Sequence, residues 1–326
     1  MNTVPQAITL IGLEAVRSLA LSLSVIKTNP NDKGSIHLNQ EDFWRHSLTT
    51  AILCKKLATI IPNTDPEEAF IAGLMHDMGK LVLLEFTKNS YEIALAQASK
   101  AKATLAALER EIFEINHAVL AAELCRHWLI PDVITNAIGK HHEPLIKEES
   151  GPDQALAELV SLGNQIAHMM DMGKSGNHLI STEAIRYLNL KKADFDFIQK
   201  TIKAVTKGVE DAAKLFGFRE TKLIEANPLP VALGLEDPEE KMLVQLIVSS
   251  KNHLIIDLSK EPLSEDRLNS KSLKAIIYDK SIPDSEKERL KASQIPALDF
   301  DQWKKQYKTD SGMYPVSYLH VWLANP

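Results

Sequence analysis

Ala69-Phe70-Ile71-Ala72-Gly73-Leu74-Met75-His76-Asp77-Met78-Gly79-Lys80 decides how this chain is read. The stretch opens apolar and ends on titratable residues. Just ahead of it, Asp65-Pro66-Glu67-Glu68 is a helix start: a carboxylate for the N-cap, proline at the first helical position, then acids facing the positive end of the dipole. The helix is expected to carry Ala69 to His76 and to stop around Gly79, with Gly73 allowing a close helix neighbour. His76 and Asp77 then lie side by side where the helix ends and the chain turns, so both can enter one cavity. Imidazole nitrogen with carboxylate oxygen suits a borderline or hard divalent ion, such as Mn, Fe, Zn or Mg.

Outward from this stretch the punctuation remains helical. Leu10, Leu13, Val16 and Ala20 recur at spacings of three and four, an amphipathic start, and a turn cluster follows at Asn29 to Gly34. A helix is expected from Gln40-Glu41-Asp42 to Ile61, ended by Pro62-Asn63. Further helices fit Ser90–Ala103, Ala106–Ile115, Ala118–Trp128, Pro131–His141 and Asp153–Met172, and Ala193–Phe216 reads as one or two closing helices. These helices place the remaining histidine motifs. His46 sits in the first turns of one helix, His117 opens another, His141-His142-Glu143 closes a third, and Asn164 lies inside the next. Helical bundles build metal sites from side chains on facing helices. A single histidine on a half-apolar helix is more often a hydrogen-bonded core or surface residue, and His141-His142 would also serve as a C-cap pair. Joint order and helix context carry the reading. His37, His127, His168, His178, His253 and His320 are set aside as ordinary.

The series His46, His76-Asp77, His117, His141-His142 resembles the ligand order of HD-superfamily metal phosphohydrolases, including the HD-GYP group. The flanking text is closer to HDOD domains: Thr3-Val4-Pro5-Gln6-Ala7-Ile8 through Leu10-Ile11-Gly12-Leu13, Phe43-Trp44-Arg45-His46-Ser47, the quoted stretch 69–80, Glu109 and Glu111 ahead of His117, then Trp128-Leu129-Ile130-Pro131. The resemblance covers roughly two-thirds of the chain and implies an all-helical bundle. It also implies a metal set of His46, His76, Asp77, His117, His141, His142 and Asn164. Asn164 stands where the superfamily places an aspartate, and a neutral amide is the weaker ligand. HDOD modules are regulatory and non-catalytic, so the resemblance implies a signal-transduction module that binds a protein partner or a nucleotide-like small ligand. The alternative it implies is a metal-dependent phosphohydrolase, in which bound metal polarises a phosphate and activates water while Lys80 neutralises charge. Pro144 to Gln154 lacks the GYP-type tripeptide, so cyclic-di-GMP phosphodiesterase activity is not expected. Met1 falls almost on the Thr3–Gly12 segment, so either the chain is a truncated form, or the bundle lacks its first helices and exposes apolar surface that favours a homodimer or partner binding.

After Gly217 the pattern changes. Residues 1–218 read as the helical domain, 219–235 as a linker around Pro228 and Pro230, and 236–326 as a small α/β domain. Asp237-Pro238-Glu239-Glu240 caps a helix through about Ser250, Leu254–Leu258 and Leu273–Tyr278 are strand-length apolar runs, and Pro283–Ala292 is helical before Ile295–Phe300. Such alternation points to a parallel sheet. Asp257 and Asp279 each end a strand-like run, a placement that serves receiver-type acidic pockets and ordinary turns alike. The composition fits a globular protein: 326 residues, 44% hydrophobic, 25% charged. A net charge of −6 suggests no nucleic-acid partner at the level of the whole chain. No apolar run is long enough to span a membrane, and Cys54 and Cys125 read as buried free thiols of a reducing cytoplasm.

Overall fold

The computed structural model describes residues 35, 37–100, 103–143, 152–177, 179–181, 183–190, 195–216, 231–250, 255–258, 263–264, 268, 273–293, 295–307, 313, 315, 318–319 and 322–323. The amphipathic start, the turn cluster at 29–34 and the segment after Glu143 lie outside them.

Among the described residues nine helices build the first part: α1 Gln40–Leu57, α2 Pro66–Met75, α3 Met78–Ala98, α4 Leu105–Phe113, α5 His117–His127, α6 Asp132–Lys140, α7 Pro152–Met170, α8 Glu183–Leu190 and α9 Phe195–Phe216. The starts follow the sequence. Asn39 caps α1 by accepting from the Asp42 amide, and Asp65 caps α2 by accepting from Glu67 and Glu68, with Pro66 in the first turn. α1 packs against α2, α7 and α9, so it lies inside the bundle, and most of its residues are buried.

Two local readings need correction. The chain does not stop at Gly79: α2 ends at Met75, and α3 begins at Met78 after a break that holds only His76 and Asp77. Gly79 sits in the first turn of α3, where a Cβ atom would lie 2.0 Å from the His117 carbonyl oxygen. Its glycine lets the starts of α3 and α5 touch. α3 also runs on past Lys80 instead of starting near Ser90, with non-helical dihedrals at Thr87, whose hydroxyl bonds back to the Leu83 carbonyl at 2.6 Å.

The last part is α/β. Strands β1 Val231–Gly234, β2 Ile255–Asp257, β3 Ala275–Tyr278 and β4 Ala297–Asp299 form one parallel sheet in the order β2-β1-β3-β4, with α10 Pro238–Ser250, α11 Asp284–Ala292 and α12 Phe300–Tyr307. Val231 pairs with both Ile255 and Ala275. β1 falls inside the stretch expected as linker; four residues directly after two prolines leave too little alternation to read. All four β3 residues are buried, as a strand with neighbours on both sides and a covered face should be. α10 packs on α7, α8 and α9, and Leu243, Val244 and Ile247 join Leu162, Met169 and Met170 in one buried apolar cluster. Among the described residues no helix is long and apolar enough to cross a membrane.

Candidate metal centre

Four helix ends and two helix interiors converge on Asp77. His76 is the C-cap of α2 and Asp77 the N-cap of α3. His117 is the first residue of α5, and His141 caps the end of α6. His46 comes from the second turn of α1, and Asn164 from the middle of α7. His46, His76, Asp77, Lys80, His117, His141 and Asn164 are all buried, and His142 is half-buried. The structure thus gathers every residue that the sequence proposed.

Asp77 sits between two groups of imidazoles. Its Oδ2 accepts from Lys80 Nζ at 2.7 Å and lies 3.3 Å from His76 Nε2 and 3.7 Å from His46 Nε2. Its Oδ1 faces His117 Nε2 at 3.2 Å. Beyond His117, the Nε2 atoms of His117 and His142 are 2.8 Å apart, so either a proton or a cation must lie between two nitrogens that would otherwise repel. Lys80 Nζ also donates to Ser175 Oγ, which is fully buried in the loop after α7.

Backbone and carboxylate acceptors fix which nitrogen of each ring is bare. His76 Nδ1 donates to the Gly73 carbonyl at 2.8 Å, and His141 Nδ1 to the Ile138 carbonyl at 2.6 Å. His117 Nδ1 donates to Glu109 Oε2 at 2.5 Å. In all three rings Nε2 is therefore the bare nitrogen turned inward: those of His76 and His141 have no hydrogen-bond partner, and that of His117 meets His142 Nε2. This is how outer groups prepare histidine ligands. His46 is held the other way: its Nε2 donates to Asn164 Oδ1 at 2.9 Å. Buried side-chain atoms left without a hydrogen bond include His46 Nδ1, His76 Nε2, Asp77 Oδ1 and His141 Nε2. Polar groups buried in this way cost about 1–3 kcal/mol each unless something binds them. Such a density of orphans around one carboxylate marks a ligand site.

The charges agree. Burial pulls His46 down to about 3 despite Asp77, and burial likewise holds His141 and His142 well below the usual imidazole range. These rings are neutral donors at pH 7. Burial would raise the Asp77 carboxyl, but His76 and Lys80 beside it hold it well below the usual range. Burial also opposes charge on His117, yet the Glu109 carboxylate outweighs it and raises this ring. Two sets of donor atoms lie within 4.8 Å of one another: His46, His76 and Asp77, and His117, His141 and His142. Two bonds of about 2.1 Å span about 4.2 Å at most, so a small contraction would close either set on an ion. The nitrogen-rich donors fit a borderline divalent metal better than magnesium.

Two residues escaped the sequence reading. Glu109 was noted only as part of a pattern, but it is fully buried and accepts from Tyr91 Oη, the His117 amide and the His117 ring. His168, set aside as ordinary, follows Asn164 by one turn of α7, and its ring lies 4.3 Å from that of His46. The i, i+4 spacing of Asn164 and His168 on one helix face was the available signal.

Comparison with known proteins gives the same segment. The HDOD domain model matches residues 1–144, which contain every histidine of the centre except His168. A ribonuclease Y from Lawsonia intracellularis is 32% identical over 120 residues, which are 37% of this chain; the match spans only 17% of that relative's length. Among solved structures, a candidate phosphohydrolase from Shewanella amazonensis is 24% identical, with 66% of this chain and 77% of that one covered at a TM-score of 0.49. An HDOD domain protein with unknown function from Geobacter sulfurreducens is 20% identical, with 66% and 75% covered, also at 0.49. The first 144 residues match the HDOD domain model, so this part of the chain is similar to HDOD domains.

Proposed function

We propose that this chain is a regulatory signal-transduction module whose buried histidine centre holds a divalent metal and whose surface binds a protein partner or a nucleotide-like small ligand. The observation that carries this reading is the state of the two carboxylate positions. Asp77 Oδ2 is already bonded to the buried Lys80 ammonium, and the second position is the neutral Asn164 amide, bonded to His46. A centre with one carboxylate, half of it engaged, lacks the bridge that would hold two ions on a phosphoryl group and activate water. The metal then serves to tie together α2, α3, α5 and α6, whose ends meet at it. A cytoplasmic setting fits two cysteines buried as free thiols.

The second reading is a metal-dependent phosphohydrolase. The number of bare imidazole nitrogens favours it, as does the likeness over 120 residues to a protein named as a ribonuclease. The test is to load the purified chain with Mn²⁺, Fe²⁺ or Zn²⁺ and assay a generic phosphodiester, cyclic dinucleotides and a short RNA. No turnover above the metal-free background is expected. Robust hydrolysis that follows metal content would establish the enzyme reading instead.

A further inference from the structure

The two groups of donors around Asp77 are unequal, and the inequality points to where an ion binds and how many bind. On the His46 side, Asp77 Oδ2 already accepts from Lys80 Nζ at 2.7 Å. An ammonium bonded to that oxygen repels a divalent ion placed on it. The same side spends His46 Nε2 on Asn164, whose amide brings no charge. His168 lies against His46 and adds no acid.

On the other side no ammonium is bonded to the carboxylate; Asp77 Oδ1 faces only His117 Nε2, at 3.2 Å. Asp77 Oδ1 has no aligned hydrogen bond, and His141 Nε2 is buried without a partner. His117 Nε2 faces His142 Nε2 at 2.8 Å, a spacing that asks for a positive charge between them. Glu109, fully buried behind His117, adds a negative charge to this side and turns the ring so that Nε2 faces inward. His142 is only half-buried, so this side also has some exposure to solvent.

We infer that the centre takes one divalent cation, held by His117, His141, His142 and Asp77 Oδ1, and that the Lys80 ammonium fills the charge role of a second cation on the His46 side. This rests on the metal-binding part of the proposed function and adds to it the position and the count.

The experiment uses the full chain, stripped of metal and titrated with Zn²⁺ alone, with uptake read by calorimetry and by elemental analysis after desalting. One equivalent is expected to bind. His141→Ala should weaken uptake about tenfold or more, and His46→Ala should change it by less than about threefold. Two equivalents in the unmodified chain would overturn the inference and leave the metal-binding reading intact. So would an equivalent that survives His141→Ala but is lost in His46→Ala. No uptake by the unmodified chain would remove the metal-binding reading itself, and the inference with it. Should His141→Ala fail to fold, the count in the unmodified chain and the behaviour of His46→Ala still decide.

Discussion

The helical part and the α/β part both bury acidic and polar groups, but they treat them differently. Around Asp77, at least three imidazole nitrogens and one carboxylate oxygen are buried with no hydrogen-bond partner. In the α/β part, every acid that ends a strand has its donors. Asp279 Oδ2 accepts from the Glu236 amide at 2.9 Å, and its Oδ1 from the Ser281 amide and hydroxyl. Asp257 pairs with Lys241 at 2.8 Å. Asp299 Oδ1 accepts from the Gln302 amide at 3.1 Å. Buried polar groups are normally satisfied, so the exceptions carry the information. The acids of the sheet stitch turns together, whereas Asp77 in the bundle keeps one buried oxygen without an aligned donor.

The largest effect expected from this contrast is on stability. Lys80→Met in the metal-free chain leaves the Asp77 carboxylate buried and unpaired, which should cost about 3–5 kcal/mol. Denaturant unfolding at pH 7 measures it. Added Zn²⁺ should restore part of the loss, since a cation can take the place of the missing ammonium.

Next comes the support behind His117. Glu109→Gln keeps the size of the side chain but removes the charge, and its NH₂ can no longer accept from the ring. Zn²⁺ affinity should fall about 10–100-fold with the fold retained. Calorimetry reads this directly, and Glu109→Asp should recover part of the loss.

A third effect is a pH dependence confined to the bundle. Burial first of all lowers His46 to about 3 and holds His141, His142 and His168 well below their ordinary 6.5. Below pH 6.5 the unfolded chain takes up these protons and the folded chain does not, so stability falls with pH from there toward about 3, the folded value of His46. His117 runs the other way: its contribution is complete below 6.5 and is lost as pH rises through its raised folded value. Four rings against one leave a net loss on acidification, at about 1.4 kcal/mol for each unit of displacement of one ring. The metal-free melting temperature should be several degrees lower at pH 5 than at pH 7.5. An unchanged melting temperature would mean that the rings are not buried as described.

The smallest effect belongs to the sheet. Asp279→Asn keeps one acceptor and loses the charge, and should cost about 1–2 kcal/mol with no change in Zn²⁺ uptake. A drop in metal binding here would couple the two regions and undo the contrast.

Much of this was legible in the chain itself. Asp65-Pro66 and Asp237-Pro238 announced their helices because proline and a capping carboxylate act locally, and both caps are formed. The convergence of His46, His76, Asp77, His117, His141, His142 and Asn164 was carried by their order and family pattern. What the chain hid was set by long-range contacts. Gly79 read as a stop because glycine usually ends helices; only the His117 carbonyl, 38 residues on, shows why glycine is needed. Glu109 was only part of a pattern and His168 an ordinary histidine until folding placed them against His117 and His46. β1 was lost to its neighbouring prolines. Asp257 and Asp279 allowed two readings until their hydrogen bonds were seen.

The most direct test of the metal centre is elemental analysis of the purified chain beside its His117→Ala variant. His117 offers a buried Nε2 turned inward by the ring's bond to the Glu109 carboxylate, 3.2 Å from Asp77 Oδ1. The unmodified chain should carry a transition metal, at up to one equivalent, and the variant markedly less while keeping its helical content. Equal metal in both proteins, or none in the unmodified chain after growth and titration with Zn²⁺, Mn²⁺ and Fe²⁺, would contradict a histidine centre built around Asp77.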